Sequence, residues 1–406
     1  MSGIAMPGGQ RAGELSRIPE LDGIRGTAIL MVLIYHFFVV ISVIPHHSFA
    51  GYLTGLGRLG WTGVDLFFVL SGFLIGGILL DHRNAENYFR TFYTRRFFRI
   101  VPIYTAILTA IFIIYLATQR FPGAKIAWIF EKRVPWFTYP LFLQNFWMAK
   151  LNTLGILGIG ATWSLAVEEQ FYLTLPWMVR VFNRRSLVAA LGVGVLLAPI
   201  VRISLRLLWP AKIYTWYVLM PCRADALLLG VLGAILVRDE RCMDWLKAKR
   251  DAMQYALVVL FLGMGVLSRF APSMHDFASL SLGYTWQAFF YSLLLVYAVT
   301  WQGSWVSGVF RWSWLCWLGS ISYGTYLLHG IVQAVFFSYL CGKRPEIASF
   351  RDLWVSVAGI VATLVICWLS YKYFESPMQE IGRRAKYGAG KEPVVSKTGT
   401  LVAGIS

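Results

Sequence analysis

Arg25 and His36 stand eleven residues apart in the apolar run IRGTAILMVLIYHFFVVISVI, residues 24–44. On a helix of 3.6 residues per turn this is almost three whole turns, so both project from one face, about 16 Å apart along the axis. Imidazole is the side chain whose proton affinity falls near neutral pH, which makes His36 a candidate general base for a hydroxyl. Arg25 or a helix-end amide could stabilise a developing oxyanion. Asp22, three residues before Arg25, falls near the same stripe, and either Asp22 or Glu168 could orient the imidazole or stabilise its charged form. The competing reading of His36 is a packing histidine bonded to a neighbouring helix. In an apolar solvent, and aligned with Arg25, the residue favours chemistry.

Further polar residues recur inside apolar runs, where a charge costs about 2.5–3.5 kcal/mol to insert and so faces another polar group or a wet cavity. GVDLFFVLSGFLIGGILL carries Ser71 beside Gly72, a pair that suits close helix approach as well as chemistry. FYTRRFFRIVPIY places Arg95, Arg96 and Arg99 at the mouth of a third helix. They read equally as topology anchors or as forks for phosphate. TWSLAVEEQFYLTLPW puts Glu168 and Glu169 at a helix start, where the dipole alone accounts for one of them. PCRADALLLGVLGA adds Arg223 and Asp225, and GSISYGTYLLHG adds His329, which shares a helix face with Ser322 and Thr325. Such a stripe can bond helices together at about 0.6 kcal/mol per hydrogen bond, so packing and function both remain open for His329.

The elements that hold these residues follow from composition. The chain has 406 residues, of which 57% are hydrophobic, 16% aromatic and only 14% charged, with a mean hydropathy of +0.60. This excludes an ordinary soluble domain and predicts an all-α polytopic membrane protein. The net charge of +17 lies in short polar gaps between apolar runs, which argues for membrane orientation and against nucleic acid as a partner. The five cysteines show no CxxC spacing and predict neither a disulfide framework nor a metal site. Ser48 and Ala50 would suit a signal-peptide cleavage site, but the first run is long and carries Arg25 and His36, so it reads as an uncleaved helix.

Apolar segments predict ten crossings, at 24–44, 61–80, 101–118, 163–182, 187–208, 216–237, 254–272, 283–301, 314–340 and 353–374. With both termini in the cytosol, the inside gaps carry about twenty Lys and Arg against about ten outside. Residues 119–162 strain this arrangement, since they fall outside yet hold Arg120, Lys125, Lys132, Arg133 and Lys150. Their apolar piece WFTYPLFLQNFWM is too short to span and reads as re-entrant or interfacial. The expected domains are an N-terminal cytosolic arm over 1–23, a ten-helix membrane domain over 24–375, and a disordered cytosolic tail over 376–406.

Taken in order, IPELDGIRGTAILMVLIYHF, GVDLFFVLSGF, RRFFRIVPIY, TWSLAVEEQFYL, RADALLLG and SYGTYLLH resemble the motifs of the integral-membrane acyltransferase type 3 family, from about residue 17 to 376. That family moves acyl groups, most often acetyl, from an acyl-coenzyme A to hydroxyls of envelope polysaccharides, lipopolysaccharides, secreted oligosaccharides or, in some branches, macrolides. The resemblance implies no bound cofactor, acetyl-CoA as donor substrate, a glycan or other hydroxyl-bearing acceptor, and a place in the bacterial inner membrane. It gives His36 the role of catalytic histidine, Arg25 that of its basic partner, Arg95 and Arg96 that of donor ligands, and Glu168 that of the motif glutamate. Ser71, Arg223 and His329 fall in family motifs with less defined duties. Many members carry a further extracytoplasmic hydrolase-like domain, which this chain is expected to lack. Direct transfer and a transient acyl-enzyme on His36 or Ser71 both stay open. A proton-coupled carrier is the rival class, but it would more often show repeated halves.

Overall fold

The computed structural model describes residues 18–43, 57–121, 123–131, 134–270 and 276–388. The chain runs through α1 (Pro19–Val39), α2 (Arg58–Asp81) and α3 (Tyr88–Arg120), then the short α4 (Gln144–Leu151) and α5 (Trp163–Val181). There follow α6 (Arg184–Leu208) and α7 (Thr215–Leu236), α8 (Glu240–Ala248) and α9 (Arg250–Phe270), and α10 (Ser279–Thr300). The short α11 (Trp305–Phe310) and α12 (Ser313–Ser320) lead into α13 (Ser322–Cys341) and α14 (Phe350–Arg383). Among the described residues nine of these helices are long and apolar enough to cross a membrane. α5 is the tenth long helix and carries three charges, Glu168, Glu169 and Arg180. The protein is an all-α polytopic membrane protein, with ten long helices among the described residues.

α2 and α7 form the centre, and α1, α5, α6 and α10 pack around them. Large apolar side chains such as Leu196, Leu207, Phe261 and Trp354 point outward on α6, α9 and α14, as a lipid-facing surface requires. Two contacts bring backbones together without a side-chain layer between them. A Cβ on Gly72 of α2 would lie 1.9 Å from the Leu227 carbonyl oxygen of α7, and one on Gly230 would lie 2.1 Å from that of Val69. Across α1 and α12, a Cβ on Gly26 would sit 2.0 Å from the Leu315 carbonyl oxygen. Only glycine fits at either crossing.

Several boundaries differ from the sequence expectation. α1 begins at Pro19, not at 24, because proline at the first position and the acidic Glu20 and Asp22 favour a helix start there. The proposed arm is therefore shorter; residues 1–17 and the candidate cleavage residues Ser48 and Ala50 lie outside the described residues. α3 begins at Tyr88, thirteen residues before the apolar run, so Arg95, Arg96 and Arg99 sit within a 33-residue helix rather than in a loop before it. The run 314–340 is broken at Ile321. There Ser320 Oγ donates to the Trp317 carbonyl at 2.6 Å, a local bond that competes with the helical ladder.

Residues 119–162 hold 3₁₀ turns and α4, which ends at Asn152 in the left-handed region (φ 52°) and does not span. Lys132 and Arg133 lie outside the described residues. The expected tail starts later than 376: α14 continues to Arg383 through a π turn at Tyr371–Glu375. Residues 385–388 then dock on α3 and the residue preceding it, where their backbone finds hydrogen-bond partners.

Candidate active site

A cavity of about 290 Å³ opens among α1, α2, α3, α5 and α13. Asp22, Arg25, Arg96 and Arg99 line it together with Ser71, Glu168 and Tyr172. Three guanidinium groups against two carboxylates make it a positively charged chamber, suited to an anion. Arg25 Nη1 donates to Asp22 Oδ1 at 2.9 Å, so the acid of this pair serves the arginine and not the imidazole. Arg96 stands with its charge 5.9 Å from the centre of the Tyr172 ring, and its Nε is buried with no acceptor among the described residues.

Deeper in the cavity, Ser71 at the middle of α2 lies with its Oγ 2.5 Å from the Tyr172 hydroxyl. That hydroxyl donates to Glu168 Oε2 at 3.3 Å. Ser71, Tyr172 and Glu168 therefore form one hydrogen-bonded chain on the cavity wall. Gly72 explains the position of Ser71, since the α2–α7 contact presses the next residue's face against α7 and turns Ser71 inward.

His36 does not line this cavity. It lies on the last turn of α1, where Tyr35–Val39 widens to a π turn, a distortion often found at functional positions. Its ring meets that of His329 with centroids 4.8 Å apart and planes inclined at 65°. His36 Nδ1 bonds the Val32 carbonyl at 2.9 Å, and His329 Nδ1 bonds the Tyr326 carbonyl at 2.8 Å. Carbonyls accept only, so both Nδ1 atoms carry a proton, and in the neutral rings both Nε2 atoms present a lone pair. Gln333 Nε2 donates to the His36 carbonyl at 2.8 Å, fixing the π turn against α13.

Tyr326 stands between the two groups. It lines the cavity, and its ring centre lies 5.9 Å from that of His329. Its hydroxyl is held 2.6 Å from Ser164 Oγ and donates to the Ala161 carbonyl at 3.0 Å.

The candidates thus separate into groups. Arg25, Asp22, Arg96, Arg99, Ser71 and Glu168 share the cavity, while His36 pairs with His329 beyond Tyr326. The Arg25–His36 stripe is a stripe along α1, not a contact. Arg95 faces away from the cavity, with its Nε on the Ala385 carbonyl at 2.8 Å. Arg223 and Asp225 lie in buried ion pairs, Arg223 with Asp65 at 2.5 Å and Asp225 with Arg202 at 2.9 Å. The Arg223 guanidinium also sits 4.1 Å from the centre of the Tyr284 ring, a cation–π contact. Sequence reasoning missed Tyr172, Tyr326, Gln333 and Arg202. The first two stand in the same quoted motifs as Glu168 and His329, but aromatic residues are too common in membrane helices to single themselves out.

The sequence profile of a family described as an acyltransferase domain matches residues 18–372. The peptidoglycan O-acetyltransferase OatA of Listeria monocytogenes is 26% identical over 389 residues, 90% of this chain and 56% of its own length. YrhL of Bacillus subtilis, provisionally named for the same activity, is 28% identical over 394 residues, 91% of this chain and 56% of its own. The chain therefore spans little more than half the length of these relatives. No solved structure matches it. A profile match across nearly the whole chain, on a membrane fold of ten long helices among the described residues, establishes that the chain belongs to the integral-membrane acyltransferase type 3 family.

Proposed function

We propose that this protein transfers an acyl group, most often acetyl, from acyl-CoA to a hydroxyl of a cell-envelope glycan. Peptidoglycan, the acceptor in the name of the Listeria relative, is the first candidate. The observation that carries the reading is the arrangement of one cationic cavity, one separating tyrosine and a pair of histidines with free Nε2 atoms. Arg96 and Arg99 suit the phosphates of coenzyme A, because a guanidinium grips phosphate oxygens in pairs. Arg25, neutralised in part by Asp22, lines the same chamber. The acyl end of the donor would then extend past Ser71 and Tyr172 toward Tyr326, in the direction that α1 takes over the roughly 16 Å from Arg25 to His36.

At the far end the acceptor hydroxyl gives its proton to His36 Nε2 while its oxygen attacks the thioester carbonyl. The carbon–sulfur bond breaks, and the departing thiolate takes the proton back from the imidazolium, which regenerates the base. The Val32 carbonyl holds His36 in the tautomer this step needs. Under this reading the Arg96 end faces the cytosol, where acyl-CoA is made and where the larger share of Lys and Arg falls. The location is the bacterial cytoplasmic membrane, with both termini inside.

The test is purified full-length protein in detergent, supplied with acetyl-labelled acetyl-CoA and soluble peptidoglycan fragments or other envelope glycans. Ester-linked label on the glycan, removed by mild alkali, is expected. Label that stays on the donor with every glycan offered would refute the donor–acceptor assignment. Acylation of a small metabolite such as a macrolide would move the acceptor to the alternative class.

A further inference from the structure

The chain beyond the last membrane helix returns to α3, close to the cavity-lining Arg96. After Arg383, residues 385–388 form a strap tied to α3 and the residue before it. Asn87 donates from Nδ2 to the Lys386 carbonyl at 2.9 Å and accepts from the Gly388 amide at 2.8 Å. Arg95 donates to the Ala385 carbonyl at 2.8 Å. These bonds hold Tyr387 between two groups: His82 stacks on its ring at 3.9 Å, and the Arg95 guanidinium stands 5.0 Å from its centre.

With its ring fixed this firmly, Tyr387 still has a buried hydroxyl with no hydrogen-bond partner among the described residues. Arg96 Nε is in the same condition. Burial pushes the Tyr387 phenol up, against an opposing pull from the neighbouring Arg95 and Arg96 charges, so it remains a protonated donor at neutral pH. Two buried donors lacking acceptors, beside a chamber lined by Arg25, Arg96 and Arg99, call for an anionic acceptor.

Building on the donor reading above, we infer that Tyr387 is a ligand for the phosphates of acyl-coenzyme A, completing with Arg96 a site that the C-terminal strap closes. Arg95 is then a positioning residue: it holds the strap, and its neighbour Arg96 holds the phosphate. The family profile ends at residue 372, so the strap lies outside the part of the chain that the profile matches.

The experiment compares Tyr387→Phe with the unchanged protein on two donors, acetyl-CoA and S-acetyl-pantetheine, which has the thioester but no nucleotide phosphates. Loss of one hydrogen bond to a charged group should raise KM for acetyl-CoA about tenfold or more and leave KM for S-acetyl-pantetheine unchanged. The nucleotide half of coenzyme A, used as an inhibitor, should weaken by the same factor. Arg95→Gln should show the same donor selectivity through a loosened strap. Equal shifts for both donors, or none, would overturn the inference. A variant that loses binding to phosphatidylglycerol vesicles with unchanged nucleotide inhibition would assign the site to a lipid headgroup and overturn it too. Failure of the unchanged protein to use acetyl-CoA would instead defeat the underlying donor reading, and this inference with it.

Discussion

Replacing His36 by asparagine separates chemistry from packing. The asparagine amide can occupy the place of Nδ1 and keep the bond to the Val32 carbonyl, which is 2.9 Å long in the native chain, while Nε2 is removed. If the residue only packs, the change costs at most one helix-side hydrogen bond, about 0.5–1.5 kcal/mol of stability, and turnover per folded molecule stays within a few fold. If Nε2 is the base, turnover falls by roughly 10²–10⁴, which is about 2.7–5.4 kcal/mol of barrier.

His329, 4.8 Å away ring to ring, sharpens the test. Should the two imidazoles act as a unit, the double variant His36→Asn, His329→Asn loses no more than the worse single variant. Independent roles would multiply. Thr27→Ala, whose hydroxyl only back-bonds to the Gly23 carbonyl, is the control on the same helix. The assay is acetyl transferred per molecule of folded protein, with abundance from fluorescence size exclusion. Substantial turnover in His36→Asn, with normal folding, would refute the base assignment and send the search to His329 and Glu168.

Three other changes test the framework. Gly72→Ala drives a Cβ against the Leu227 carbonyl and should cost about 1–3 kcal/mol or more, read as a lower melting temperature in detergent; unchanged stability would show that the α2–α7 crossing is looser than described. Arg223→Met leaves Asp65 without its ion-pair partner at 1% exposure and should cost about 3–5 kcal/mol, most of it recovered in Asp65→Leu, Arg223→Met. A double variant as unstable as the single would refute the ion pair's structural role. For sidedness, tags inserted near Trp245 should resist an impermeant label in intact cells and tags near Glu346 should react, and the opposite pattern would invert the proposed orientation.

The long helices were legible because hydrocarbon imposes a length and a composition that any reader of the sequence can count. The motif residues on one helix face were legible too, as with Arg25 and His36. What escaped was every relation between distant segments. His36 and His329 are both visible as polar residues in apolar runs, but nothing local says that α1 and α13 bring their rings together. The RR pair reads as one device, whereas successive residues on a helix point about 100° apart, sending Arg96 to the cavity and Arg95 to the strap. Arg202, which nothing in its local sequence singles out, is fully buried and bonds Asp225, the Leu280 carbonyl and Thr285.

The glycine crossings have a mechanical consequence. Where α2 meets α7 and α1 meets α12, backbone rests on backbone, and no layer of rotatable side chains is available to yield. Two of the cavity's five walls, α1 and α2, therefore behave as a fixed jaw. A donor that enters or leaves must displace the opposing jaw, built from α3, α5 and α13. Hydrogen bonds tie this jaw together at the cavity: the Tyr323 hydroxyl of α13 donates to the Ile100 carbonyl of α3 at 3.2 Å, and Ser164 of α5 meets the Tyr326 hydroxyl of α13 at 2.6 Å. Ser71 with Tyr172 and Gln333 with the His36 carbonyl join the two jaws; these are neutral hydrogen bonds of about 1 kcal/mol each, so opening breaks a few weak bonds while the fixed jaw keeps Arg25 and Ser71 in register.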